Sequence, residues 1–336
     1  MPDPSYPAAP RVLVTGAGGF IGTALLAMLA ESFGEIRAGR RRASPPAIAG
    51  VVAVPCDLDE PAQLAAALRG VSLVVHTAYG DEQAMPQQAT NLLAAMEAAG
   101  AQNLLAFSSI AVYGRREGAI VEEDAPVGPL GAYAKAKAQC EHRYRAWSAA
   151  APGRRVIALR PGIVYGRGAS LWIDKMAARI ESGGWGLLGP CGEGRAALIH
   201  IDDLAAQSLA ACRLLAGPHG EELPPFVALN AVGPENPSWN DYFAALARSL
   251  ARPPLRTWSP AEIFLRQVLA VSAKLARRFG LNCCKKAALA PGPGELALFA
   301  LKAEYRSEKA ARLLDFSPRI GMAEGFLRSG LGQARR

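Results

Sequence analysis

The sequence predicts an α/β fold: a doubly wound parallel sheet followed by a smaller, mainly helical C-terminal lobe. Three observations carry that reading. Strand-like and helix-like segments alternate from residue 11 to residue 160, the pattern of a parallel sheet with helices on both faces. The first strand-like run ends in a turn with glycine at every third position, Gly16, Gly19 and Gly22. Apolar residues make up 51% of a 336-residue chain, enough to bury a sizeable core.

The elements follow in order. Residues 11–15 form a short apolar strand, and 19–33 a helix with Leu25, Leu26, Met28 and Leu29 as its apolar positions. Residues 35–39 and 51–54 are strands, 60–69 is a helix, and 71–76 is a buried strand. Residues 86–100 form a helix that stops on Gly100, as helices commonly do. Residues 103–108 are the next strand, 132–150 a long helix, and 156–160 a further strand. Beyond Pro161, glycine and proline punctuate the chain to residue 190. Residues 199–215 then read as a strand end and a helix, and 226–230 as one more strand. This divides the chain into a sheet domain, 11–165 with about 199–230, and a lobe, about 166–198 with 231–333. Residues 1–10 are polar and proline-rich, and are expected to be a disordered tail.

Composition excludes several classes of function. The net charge is +8, yet the basic residues are scattered, apart from Arg40 to Arg42 and the stretch from Lys274 to Lys286. No basic stripe interleaved with aromatics appears, so nucleic acid is not an expected partner. Of six cysteines only Cys283 and Cys284 are close together, and adjacent cysteines suit neither one disulfide nor a tetrahedral metal. Reduced thiols and a cytoplasmic compartment follow, with no metal site. No apolar run reaches the ~18 residues that span a membrane, and residues 1–10 hold no apolar signal core.

The glycine turn carries the first chemistry. Thr15 to Gly22 joins a strand to an amphipathic helix. There glycine allows a tight bend and lets backbone approach a pyrophosphate, which the N–H groups of the helix start then face. This is the dinucleotide-binding turn of a Rossmann-type sheet. The second strand runs into Arg40, Arg41 and Arg42, with no acid at its end. An acid there would bind a ribose 2′-hydroxyl, whereas arginine pairs with a 2′-phosphate. NADP is therefore the preferred cofactor and NAD the alternative. Asp57, after the third strand, has two readings: a hydrogen-bond acceptor for the adenine amino group, or a helix cap before Glu60.

Tyr133 and Lys137 carry the second chemistry. A separation of four places them on one helical face. A free phenol titrates near ~10, and a nearby ammonium lowers that value. The phenol can then act as general acid in ketone reduction or as base in alcohol oxidation. Upstream, Ser108 and Ser109 stand at the end of a strand, the edge where such sheets place their sites.

Taken together, these motifs resemble the extended short-chain dehydrogenase/reductases, which include NAD-dependent epimerases and dehydratases and 3β-hydroxysteroid dehydrogenase-like enzymes. The resemblance runs from about Val12 to Leu331. It also rests on Cys56-Asp57-Leu58, on Val75-His76-Thr77-Ala78 and on Leu159-Arg160-Pro161-Gly162-Ile163. His200-Ile201-Asp202-Asp203 and Tyr305 to Ala310 continue it. It implies Ser109, Tyr133 and Lys137 as catalytic residues. It implies a cofactor held by Gly16, Gly19, Phe20, Ile21, Gly22, Arg40, Arg41, Asp57, Leu58, Thr77, Ala78, Tyr133, Lys137, Pro161 and Ile163. It also implies a homodimer through the helices 86–100 and 132–150.

The departures from the family pattern bear on the substrate. Met85 stands where members often have an asparagine, while Asn91 resembles their structural asparagine. Nucleotide-sugar epimerases usually carry asparagine at the position of Ile163 and arginine at that of Ala196, and Arg195 is one residue off. The expected function is thus an NADP-dependent oxidoreductase interconverting a ketone and a secondary alcohol on a small or lipophilic substrate. A nucleotide-sugar epimerase or dehydratase is the alternative. A regulatory NADP sensor is a third class, which intact Ser109, Tyr133 and Lys137 argue against. Residues 262–280 also have two readings: a helix packed over the cleft, or a weak contact with an anionic membrane surface.

Overall fold

The structure, a computed structural model, describes residues 10–41, 45–124, 131–278 and 289–332. The tail through residue 9, Arg42, residues 279–280, Cys283 and Cys284 lie outside the described residues.

β1 (Arg11–Thr15) passes through the glycine turn into α1 (Phe20–Ala30). β2 (Glu35–Arg40), β3 (Val51–Pro55), α2 (Pro61–Leu68) and β4 (Leu73–His76) follow. Next come α3 (Met85–Ala99), β5 (Asn103–Phe107), β6 (Gly118–Ile120), α4 (Gly131–Ala149) and β7 (Arg155–Pro161). Gly100 closes α3 in the left-handed conformation, φ 73°, which glycine adopts without strain.

The chain continues through β8 (Ile163–Tyr165), α5 (Lys175–Glu181), β9 (Leu198–His200), α6 (Ile201–Ala216) and β10 (Phe226–Ala231). The C-terminal region is mostly helical: α7 (Trp239–Ser249), α8 (Pro260–Arg278) and α9 (Pro293–Phe299), then β11 (Ala303–Tyr305), α10 (Glu308–Leu314) and α11 (Met322–Arg328).

Seven strands form one parallel sheet in the order β10-β7-β5-β4-β1-β2-β3. Successive residues of each strand face opposite sides. Val12, Val14, Val75, Leu105 and Leu159 pack against Leu25, Leu26 and Leu29 of α1 and Leu204 and Cys212 of α6. Leu13, Val74, Leu104, Ala106 and Val156 pack against Leu64, Leu92, Met96, Tyr144 and Trp147 of α2, α3 and α4. Both faces are covered, which is why the central strands are apolar throughout rather than alternating.

Two small parallel sheets were not expected: β8 with β9, and β6 with β11. Three-residue strands are too short to leave a periodic signal. A third cluster, whose buried members run from Tyr165 to Phe326, is rich in rings, with Phe20 and Ile163 packed against it. Trp239 and Phe299 lie 4.6 Å apart, and Phe243 meets Trp185 edge-on at 5.2 Å.

This topology positions the site. The chain leaves β1 for β2 and β3 on one side and returns to β4 on the other. The connections after β1 and β4 therefore diverge, opening a crevice at the carboxyl ends of the strands.

Candidate active site

At that crevice Gly16 has φ 70°, and a Cβ there would lie 2.6 Å from the Cα of Ala78, which follows β4. A Cβ at Gly22 would lie 2.4 Å from the Gly16 carbonyl oxygen. Only glycine lets the two connections and the helix start come this close. Gly19 caps α1 without any side-chain hydrogen bond, so the first N–H groups of the helix remain available to an anion. Thr77 donates from its hydroxyl to the Thr15 carbonyl at 2.8 Å and braces the turn from below. The donor set and the missing Cβ atoms fit a dinucleotide pyrophosphate.

Within β2, Arg37 is committed elsewhere, donating to Glu35 and to the Ala67 and Arg69 carbonyls. Arg40 and Arg41 are exposed, line the cavity and form no ion pair among the described residues. Asp57 lines the same end, and its carboxylate accepts the Asp59 N–H at 3.2 Å. Asn91 on α3 donates to the Leu58 carbonyl at 2.9 Å, tying this loop to the helix.

At the other end, α4 presents Tyr133 and Lys137. The Lys137 ammonium is buried, donates to the Phe107 carbonyl at 2.6 Å and stands 5.9 Å from the centre of the Tyr133 ring. Burial brings the Lys137 ammonium down to about 8. The sequence led us to expect a phenol lowered by this lysine. Instead the Tyr133 phenol is raised, because burial outweighs the opposing hydrogen bond of Ser109. The Tyr79 ring meets Tyr133 edge-on at 5.7 Å.

The two serines are distinguishable. Ser108 donates its hydroxyl to Glu141. Ser109 opens a short helical turn, accepts the Ala111 N–H at 3.2 Å and faces the cavity. Behind them lies a buried polar network. Arg160 pairs with both carboxylate oxygens of Glu141, at 2.9 and 2.6 Å, and donates to the Tyr113 hydroxyl at 2.7 Å. Tyr113 in turn donates to Asn230 at 2.8 Å.

One cavity of about 1100 Å³ gathers every residue expected at the site: Ser109, Tyr133 and Lys137, the glycine turn with Phe20 and Ile21, Arg40 and Arg41, Asp57 and Leu58, Thr77 and Ala78, and Pro161 and Ile163. Gly162 lies between the last two, and a Cβ there would reach 2.1 Å from the Ala197 carbonyl oxygen. Ala196 is buried, and Arg195 is not a wall residue; its guanidinium donates to the Asn236 carbonyl.

Sequence reasoning missed the wall beyond Tyr133. Tyr79, Arg115, Leu171, Trp172, Ala297, Leu298 and Leu301 line it. They come from connections and from α9, far apart in the chain, and only Tyr79 had a sequence signal, following Thr77-Ala78 directly.

Comparison with known proteins bears on this geometry. The model of the NAD dependent epimerase/dehydratase family matches residues 12–223. The 2-alkyl-3-oxoalkanoate reductase of Stenotrophomonas maltophilia is 28% identical over 95% of this chain and 98% of its own length. Among solved structures, the UDP-glucose 4-epimerase of Thermotoga maritima with UDP-glucose has a TM-score of 0.71 at 17% identity, covering 95% of this chain and 96% of that one. The dTDP-glucose 4,6-dehydratase of Streptomyces venezuelae with NAD bound has a TM-score of 0.71 at 21% identity, covering 95% of each. At these identities the two structures are likenesses of fold.

Proposed function

This chain belongs to the NAD-dependent epimerase/dehydratase family, and we propose that it uses NADP to interconvert a ketone and a secondary alcohol on a lipophilic substrate. The observation that carries the reading is the largely apolar wall beyond Tyr133, where Leu171, Trp172, Ala297, Leu298 and Leu301 stand with Tyr79 and Arg115. A nucleotide diphosphate would meet no arginine from the Arg195–Ala196 segment, since Ala196 is buried and Arg195 is turned to Asn236. The reductase relative that spans nearly the whole chain supports a 3-oxoalkanoate as substrate class. In this reading residues 11–165 with 199–230 form the dinucleotide half, and 166–198 with 231–333 the substrate half.

The glycine turn would hold the pyrophosphate, Arg40 and Arg41 the 2′-phosphate, and Lys137 the nicotinamide ribose. The bound dinucleotide supplies hydride chemistry at the substrate carbon. The protein's own residues manage the oxygen. Ser109 hydrogen-bonds the carbonyl and polarises it. Tyr133, kept protonated by burial, gives its phenolic proton to the carbonyl oxygen. The Lys137 ammonium, 5.9 Å from the ring, offsets the negative charge left on the phenolate. A phenol raised in this way suits the reducing direction.

Fluorescence titration should give tighter binding of NADPH than of NADH, and the difference should shrink in Arg40→Ala/Arg41→Ala. NADPH consumption should follow addition of a 2-alkyl-3-oxoalkanoate, and UDP-glucose should leave the melting temperature unchanged. Tighter binding of NADH would overturn the NADP assignment. Stabilisation by micromolar UDP-glucose would replace the ketone reading with the epimerase one.

A further inference from the structure

The cavity carries positive charge at two separate places. Among the described residues of its wall, Arg40, Arg41, Lys137 and Arg115 are basic and Asp57 alone is acidic. Arg40, Arg41 and Asp57 belong to the ends of β2 and β3. Lys137 is buried and committed to the Phe107 carbonyl. Arg115 is then the charged side chain of the wall beyond Tyr133, beside Leu171, Trp172 and Leu298.

The backbone explains how it comes there. Ser109 opens the short helical turn Ile110–Tyr113, and Gly114 ends it at φ 70°, a conformation that glycine adopts without strain. Arg115 is the next residue, so Ser109 and Arg115 belong to one connection, six positions apart. The neighbouring Arg116 is paired with Asp124 at 3.0 Å. Arg115 is exposed and forms no ion pair or side-chain hydrogen bond among the described residues, and residues 125–130, which lie outside them, contain no acid. An unpaired guanidinium in a cavity wall recognises an anion, and its planar fork fits a carboxylate through two parallel hydrogen bonds.

We propose that Arg115 pairs with the carboxylate of the substrate and selects keto acids over neutral ketones. Ser109 takes the carbonyl and Arg115 the acid from the same connection, while the alkyl chain lies against Leu171, Trp172 and Leu298. The proposal rests on the reductase reading and adds to it the residue that recognises the acid.

Two measurements test it. NADPH consumption is followed with a 2-alkyl-3-oxoalkanoate and with its methyl ester, which differ in charge at one group. The parent protein should prefer the acid. Arg115→Leu should lower kcat/KM for the acid by about tenfold, the equivalent of one bidentate pair, mainly through KM, and should bring the ratio of acid to ester toward one. Arg115→Lys should recover part of that ratio, since it keeps the charge and loses the fork. Equal use of acid and ester by the parent, or an unchanged ratio in Arg115→Leu, would overturn the proposal. The second measurement needs no turnover. Decanoate should raise the melting temperature of the NADP-bound parent more than decanol does, and Arg115→Leu should lose that difference. If neither acid nor ester consumes NADPH, the reductase reading fails, and the decanoate shift alone decides Arg115: its loss in the variant upholds the carboxylate contact, and its persistence ends it.

Discussion

Tyr133 and Lys137 are one helical turn apart, but their environments separate their roles. Tyr133 is half-buried at the cavity wall, while Lys137 is buried and anchored to the Phe107 carbonyl. On the proposed reading, Tyr133→Phe removes only the transferable proton. Turnover should fall by about 10²–10⁴-fold, with cofactor affinity close to that of the parent. Lys137→Ala removes a charge and a ribose contact, so turnover and cofactor affinity should fall together. Steady-state kinetics beside fluorescence titration separates the two outcomes. A folded Tyr133→Phe protein with normal turnover would make the mechanism wrong. The pair was legible in the sequence because a spacing of four guarantees a shared face. The raised phenol was not, because it follows from burial by neighbours such as Tyr79.

At the scale of elements, α4 acts as a rod that carries three functional turns. Tyr133, Lys137 and Glu141 follow at intervals of four, and Glu141 joins the rod to β5 through Ser108 and to β7 through Arg160. Removing one partner strands the other charge in the interior. Glu141→Ala should therefore cost about 3–5 kcal/mol in denaturant unfolding, and Glu141→Gln less, since it keeps a hydrogen-bond acceptor for Ser108. A loss within 1 kcal/mol for the alanine variant would show that the network contributes little. Nothing in the sequence marked this pair, because its members lie on different elements and meet only through the sheet order.

At the scale of the whole molecule, His76 lies at the end of β4, in the middle of the sheet, hydrogen-bonded to Thr15 at 2.7 Å. Burial, aided by the Lys137 charge, brings its imidazole down to about 3. An unfolded histidine takes up a proton below ~6.5, so the unfolded chain binds more protons between these values. The contribution is thus complete above pH ~6.5 and is lost as pH falls toward 3. Glu295, brought down to about 2 chiefly by its bond to Arg179 against an opposing burial effect, loses its contribution only below the usual carboxylate range. The melting temperature of the protein should begin to fall just below pH ~6.5, and His76→Asn should make that first limb shallower, the remainder belonging to His200, whose imidazole is also lowered by burial, while leaving the more acidic limb. An unchanged slope in His76→Asn would exclude His76 as its source.

The sequence by itself determined the order of the main strands and helices, the glycine turn and the Tyr133–Lys137 face. Each is encoded locally: apolar runs by burial on both faces, Gly16 by a backbone that tolerates φ 70° and no Cβ, the dyad by helical repeat. Tertiary structure decided what locality cannot. It placed Leu171 and Trp172 beside Ala297 and Leu298 as one apolar wall, and paired β6 with β11 across most of the chain. It turned Arg195 toward Asn236 rather than the cavity, and left Phe264 and Val268 exposed on a helix whose other side is packed. These depend on contacts between residues far apart in sequence. Periodicity registers that a side chain is apolar or charged, but not which distant surface it meets.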